Sequence, residues 1–408
     1  MQETAMRAYK LITAFGSPAS NKVRAYLRWR DLPFRETAAT ALVLKSEVRP
    51  RLKNVKVPVL VTPSHETLQD SRLIFDAVEK SEPGEPLSPK YGHHRFAMGL
   101  IEAFGDEVLA PAAVYHFWSG NIAAAAGGLG AMVYPGLEPD LQRRYARILS
   151  GQLMNALEQR GFSARTARRT RALLQRTIAA LETHFQSSRF LLEDRPCSAD
   201  FSLFGALALL RELLDGSDRT LPDSPNVRRW MADVNAPWDQ VGGRYRKAYA
   251  VPESLAAVCE VAAGAFLPEA LETCGAVTEW AECNPGRINL PARLGKRKIP
   301  ADEGETVQQL RPATQWVFQR VIAPLHEDLP DAQRRAGEEL LGAIGFKRLA
   351  EFRPERDVLQ EHHEFTVNLK AALPSREESE ASREVTGALL KAREGAEATR
   401  DLDRMILG

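Results

Sequence analysis

Three local groups of residues have the types and spacing to do chemistry. Ser17 follows the apolar run Tyr9 to Phe15 and stands just before a helical pattern that begins near Ser20. A hydroxyl in that place sits at a helix N-terminus, where free N–H groups and the helix dipole favour an anion. A thiolate held by it would have its pKa lowered, which is the activation a sulfur nucleophile needs. The same position suits a plain N-cap, from Ser17 or from Ser20. In Val57-Pro58, a proline stands at the mouth of the apolar run VPVLV. A cis bond there would leave the N–H and C=O of Val57 to pair with an extended peptide, and a trans proline simply opening a strand is the alternative. Gln69-Asp70-Ser71 opens another helical pattern. Ser71 can cap that helix and offer N–H groups to a carboxylate, while Asp70 can take an ammonium. An amino-acid zwitterion suits the pair, although capping alone also explains it.

The elements that must position these groups follow from periodicity. Tyr9 to Phe15 reads as a buried strand closed at Gly16-Ser17-Pro18. From Ser20 a helix carries Val23, Tyr26 and Leu27 on one face and stops at Asp31-Leu32-Pro33. Strands follow at Pro33 to Thr37, Val57 to Val61 and Glu66 to Leu68, and a helix runs from Ser71 to Glu79. This β-α-β then β-β-α order suits a small mixed sheet with helices packed on it. Ser81 to Pro89 (SEPGEPLSP) breaks both periodicities and reads as a linker. Beyond it, Arg95 to Trp118, Leu141 to Gln159, Ala164 to Phe185, Ser198 to Asp215 and Asn226 to Asn235 carry apolar residues at helical spacing. Further helices are expected at Ser254 to Glu279, Val307 to Val321 and Asp331 to Leu341, and a charged helical tail at Ser375 to Leu407.

In order along the chain come a strand, Ser17-Pro18-Ala19-Ser20, a helix with Val23-Arg24, then Lys56-Val57-Pro58-Val59-Leu60 and Leu68-Gln69-Asp70-Ser71-Arg72-Leu73-Ile74. This resembles the glutathione-binding domain of the glutathione transferase superfamily, in its serine-type classes. Arg189 to Gly205 (RFLLEDRPCSADFSLFG) and Trp230 resemble the superfamily's helical domain, with Cys197 where a Ser or Thr cap is usual. Asn284-Pro285, Leu290-Pro291 and Gln315 to Arg320 resemble elongated bacterial members. The resemblance implies an α+β protein: a thioredoxin-like N-terminal domain, residues 1–83, followed by an all-α transferase C-terminal domain, residues 90–250. A helical extension at 251–350 and a charged helical tail at 351–408 complete it. It also implies roles. Ser17 would stabilise the glutathione thiolate, with Ser20 in the same site. Val57 beside cis-Pro58 would pair with the cysteinyl backbone. Asp70 and Ser71 would hold the γ-glutamyl end, and Lys56 or Lys45 the glycyl end. Tyr115 and Trp118 would line the pocket of a small hydrophobic electrophile, and Asp200 would cap its own helix. Glutathione enters as co-substrate, and a homodimer is expected.

The rest of the sequence narrows the field. A net charge of +1 over 408 residues implies no global pull toward nucleic acid or membrane. Cys197, Cys259, Cys274 and Cys283 show neither a disulfide framework nor zinc spacing. No apolar run approaches bilayer length, and a cytoplasmic protein is expected. Glu361-His362-His363-Glu364 invites a metal, but adjacent residues on a helix point apart and do not easily share one ion, and His93-His94 is read as a solvated helix start. The expected function is activation of the glutathione thiol for attack on a small electrophile, in conjugation, cleavage or isomerisation. The alternative is a binding or scaffold protein of the same fold without turnover.

Overall fold

The structure, a computed structural model, describes residues 8–120, 122–211, 214, 221–237, 243–361, 364–368, 383–388 and 390–391. The chain divides into two compact units: 1–88 with 105–246 and 298–308, and 89–104 with 247–297 and 309–408.

The first unit begins as a thioredoxin-like domain. Strands β1 (Tyr9–Thr13), β2 (Phe34–Ala38), β3 (Val59–Val61) and β4 (Thr67–Gln69) form one sheet in the order β2-β1-β3-β4. β1 and β2 run parallel, with Tyr9 opposite Phe34, and the β1–β3 and β3–β4 pairs are antiparallel. Helix α1 (Pro18–Trp29) starts two residues earlier than its periodicity implies. The Ser17 hydroxyl caps it, and Pro18 fits the first turn, where a missing N–H costs nothing. Val23, Tyr26, Leu27 and Trp29 are buried. Helix α2 (Ser71–Ser81) follows β4 and is capped by Asp70, so Ser71 is its first residue and not its cap.

Among the helices of the first unit are α4 (Ala110–Gly120), α5 (Ile122–Val133), α6 (Pro139–Gln159), α7 (Ala167–His184), α8 (Ser198–Leu207) and α9 (Pro225–Val234). The Phe201 ring lies 5.7 Å from Tyr26 and from Trp29 and 6.1 Å from Phe75, an aromatic core joining α8 to α1 and α2. Gly205 makes that approach possible: a Cβ there would stand 2.5 Å from the Pro18 carbonyl oxygen. Asp200 ties the start of α8 together, accepting the N–H groups of Cys197 (2.9 Å) and Leu191 (3.1 Å) and the indole N–H of Trp230 (2.8 Å). Burial raises its pKa to about 6. The Cys197 thiol donates to the same carboxylate and forms a capping box with Asp200, and burial beside that charge pushes the thiol well above its ordinary value.

Over Arg95 to Trp118 the chain is helical throughout, as expected, but not as one regular α-helix. Helix α3 (Gly92–Phe104) ends in a π-helical turn, Gly105–Leu109, before α4. The Gly105 backbone lies against Ser202, and the wider turn aims Asp106 and Glu107 at side chains described below.

The second unit is built on α10 (Glu253–Cys283), against which α3 and α11 (Pro312–Ile322) pack, with α12 (Asp331–Ala343) beside α3. By length and composition α10 passes the test for crossing a bilayer, with an 18-residue window of mean hydropathy 1.5, contrary to the expectation above. Of that window, 61% is buried inside the protein, and within it Glu269 accepts the Thr314 hydroxyl at 3.0 Å. The extension is also less helical than expected. Glu305–Leu310 is a strand, β6, paired in a hairpin with β5 (Gly295–Pro300), and the helix predicted from Val307 starts only at Pro312. A second hairpin, β7 (Val358–Glu361) with β8 (Glu364–Val367), buries Val358 and Val367 against Val277, in a stretch expected to be helical tail. Residues 383–388 of that tail are helical, and most of the remainder lies outside the described residues, as do His362 and His363. His93 and His94 are fully buried, not solvated: Tyr91 stacks on His93, whose Nε2 meets the Tyr249 carbonyl at 2.8 Å.

Candidate functional site

The centre of the site is the junction of β1 and α1. The Ser17 hydroxyl accepts the N–H of Ser20 at 3.2 Å, which leaves its own proton to donate outward at the mouth of a helix. Ser20 is fully buried and its hydroxyl accepts the Ala14 N–H, so it braces the junction from inside and does not face a ligand. Gly16 turns the chain at a φ of +67°, a conformation that suits glycine. A Cβ at Gly16 would lie 4.0 Å from both the Phe117 ring and the Trp118 indole nitrogen, so α4 passes directly beside Ser17.

Of the two pocket residues read from the sequence, both are buried. Trp118 is 1% exposed beneath Gly16, and Tyr115 has its phenol pKa raised by burial and by the charge of Asp302. The open wall is made by Phe117, a neighbour of these two on the same helix, and by Phe15, which the sequence marked only as the end of a strand run. Phe15 is 45% exposed, meets Phe117 edge to face with centroids 6.1 Å apart, and donates its N–H to the Met132 sulfur at 3.0 Å. Gly128 of α5 leaves room for the Phe15 ring, which would be 3.2 Å from a Cβ there.

The second group is the segment before β3. The Val57-Pro58 bond is cis. Among the described residues, no hydrogen bond uses the N–H or C=O of Val57, so both remain available to an extended peptide. Lys56 and Lys45 are exposed. The third group is the corner before α2. Asp70 takes φ 76° and ψ 125°, which a residue with a side chain rarely adopts and which costs about 1–3 kcal/mol. Its carboxylate accepts the Arg72 N–H at 3.0 Å, and Ser71 beside it is 7% exposed.

Behind this corner lies an ionic cluster. Asp106 meets Lys22 Nζ at 2.7 Å, Arg72 Nη2 at 2.9 Å and the Ser202 hydroxyl at 2.5 Å. Glu107 faces Arg72 at 3.5 Å and Arg160 at 3.0 Å. Lys22 is 1% exposed, with its ammonium 5.1 Å from the centre of the Phe75 ring. In the sequence nothing announced this cluster: Lys22, Arg72, the adjacent Asp106 and Glu107, Arg160 and Ser202 come from five well-separated stretches. No group of three His, Cys, Asp or Glu side chains among the described residues is placed to hold a metal ion.

Two family models match the chain. The glutathione S-transferase N-terminal domain matches residues 11–86, and the glutathione S-transferase C-terminal domain matches residues 164–233. Among solved structures, a glutathione S-transferase from Rhodospirillum rubrum F11 is 18% identical, covering 60% of this chain and 97% of its own, with a TM-score of 0.39. The β-etherase LigF from Sphingobium sp. strain SYK-6 is 18% identical, covering 57% of this chain and 98% of its own, with a TM-score of 0.41. A glutathione S-transferase from Methylobacillus flagellatus with glutathione bound is 19% identical, covering 55% and 93%, with a TM-score of 0.34. No curated protein matches the chain. The two domain matches, residues 11–86 and 164–233, stand in chain order on a thioredoxin-like sheet domain and a helical domain, the arrangement of the glutathione transferase superfamily.

Proposed function

We propose that this protein is a glutathione-dependent transferase that activates the glutathione thiol for attack on a small hydrophobic electrophile. Glutathione lies extended along the first domain. Its cysteinyl backbone pairs with the open N–H and C=O of Val57, and its γ-glutamyl end meets Asp70 and Ser71. Lys56 or Lys45 takes the glycyl carboxylate. The Ser17 hydroxyl donates to the sulfur, which favours the thiolate and lowers its pKa. The thiolate attacks the electrophilic atom of a substrate held against Phe15 and Phe117, the S–C bond forms, and the leaving group or the π-electron pair accepts the displaced charge. The resemblance extends the proposal to a cytoplasmic homodimer.

The observation that carries this reading is Ser17 itself. Its oxygen is already engaged by the Ser20 N–H, so its proton is free to donate. Calorimetric titration of glutathione, with the wild type beside Ser71→Ala, tests the binding half. Millimolar or tighter binding that weakens about tenfold in the variant, roughly 1.4 kcal/mol, supports it. No binding to either protein rejects it and favours a scaffold of transferase fold. Ser17→Ala tests the chemistry: glutathione affinity should hold while turnover of an electrophile falls about a hundredfold or more. Unchanged turnover would remove Ser17 from the mechanism.

A further inference from the structure

Residues 52–57, which lead into Pro58, are held by two side-chain amides as well as by the backbone. The Asn54 Nδ2 donates to the Leu52 carbonyl at 3.0 Å, which turns its Oδ1 the other way. That oxygen accepts the Lys56 N–H at 3.0 Å and the Gln69 Nε2 at 2.8 Å. The same Gln69 nitrogen donates to the Lys56 carbonyl at 2.6 Å. A carbonyl oxygen can only accept, so the Gln69 amide has one chemically sensible orientation. Both its N–H protons are used. Its Oε1 is buried without a hydrogen-bond partner, and the residue is 4% exposed.

The Lys56 carbonyl and the Val57 N–H belong to one planar peptide group and point in opposite directions. A donor that draws the carbonyl inward therefore turns the Val57 N–H outward. Gln69 also sits opposite Val59 in the sheet and directly before Asp70. One side chain thus connects the two halves of the candidate glutathione site. An apolar side chain would suit burial alone better, because it would not strand an acceptor.

We propose that Gln69 is a positioning residue for glutathione: by holding the Lys56 carbonyl, it aims the Val57 N–H at the cysteinyl carbonyl of the bound tripeptide. This rests on the glutathione site proposed above. The test is Gln69→Glu, which keeps the shape but, when ionised, has no proton to give. S-methylglutathione, which lacks a titrating thiol, is titrated calorimetrically into wild type and variant between pH 5 and pH 8. Wild-type affinity should stay nearly constant. The variant should bind about tenfold more weakly at pH 8, roughly 1.4 kcal/mol, and approach wild type at pH 5, where the protonated carboxyl donates again. Equal affinity throughout, or a loss that is the same at every pH, overturns the proposal. Wild type that fails to bind overturns the glutathione reading and this inference with it. If Gln69→Glu does not fold, Asn54→Ala at a half-buried position decides. A severalfold loss of affinity supports the network, and none refutes it.

Discussion

Replacing Asp106 by Ala should cost the first unit about 3–5 kcal/mol, the usual loss when one member of a buried ion pair is removed. The structure sets that figure near the top of the range. One carboxylate faces two cations, Lys22 at 2.7 Å and Arg72 at 2.9 Å, and Lys22 is 1% exposed, so water cannot replace what is lost. The Ser202 hydroxyl, which donates to Asp106 at 2.5 Å, adds about 1 kcal/mol. Asp106→Asn keeps the shape and should lose most of the same energy, because charge is what Lys22 needs. Ser202→Ala should lose only its one hydrogen bond. The double change Lys22→Met with Asp106→Leu should recover most of the stability, since a well-packed apolar pair avoids desolvating ions. Urea denaturation followed by tryptophan fluorescence reads all four variants, and Asp106→Ala should lower the midpoint by about 1–2 M. A loss below about 1 kcal/mol for Asp106→Ala, or a double variant no better than the single one, would show that the cluster is solvated in practice and refute the reasoning.

Other expectations follow from single features. Gly205→Ala places a methyl 2.5 Å from the Pro18 carbonyl oxygen; overpacking of about 1–3 kcal/mol should outweigh a helix-propensity gain of about 1 kcal/mol, lowering the melting temperature and, through the displaced Ser17, slowing turnover rather than weakening glutathione binding. His184 is fully buried with its pKa lowered to about 4, so its stability contribution is complete above pH 6.5 and is lost as pH falls toward 4, by up to about 3 kcal/mol. Asp200, raised to about 6, works in the opposite sense: its contribution is complete below about pH 4 and is lost as pH rises through 6. Wild-type stability should therefore change little between pH 4 and 6, and His184→Gln should make it decline with rising pH; a variant profile parallel to wild type would count against these assignments.

The first domain was legible because local rules decide it. The switch from a buried run to helical spacing at Gly16-Ser17-Pro18 marks β1 and α1, and Lys56-Val57-Pro58 and Gln69-Asp70-Ser71 mark the other two corners of the site. What the sequence hid depends on partners far along the chain. Ser20 and Ser17 look alike until one hydroxyl turns inward to the Ala14 N–H. His93 and His94 read as solvated because nothing nearby announces Tyr249. The strands at Gly295–Pro300 and Glu305–Leu310 are mostly polar and bury only Leu310, so no alternating apolar pattern gave them away. Asp106 is one acid among many until a π-turn aims it at Lys22 and Arg72.

The tip of the β5–β6 hairpin bears on modularity. Asp302 accepts the N–H groups of Arg168 (2.8 Å) and Arg169 (3.1 Å), closing the first turn of α7 from a point more than a hundred residues downstream, and Gln308 donates to the Arg160 carbonyl at 3.1 Å. A helix of the matched transferase domain is thus finished by the extension. A fragment ending near residue 250, where the family likeness would suggest cutting, keeps every residue of both matches yet leaves that helix start open. The protein is not a transferase with an appendage but a chain whose units are completed out of order, and expression of either part alone is the wrong way to study it.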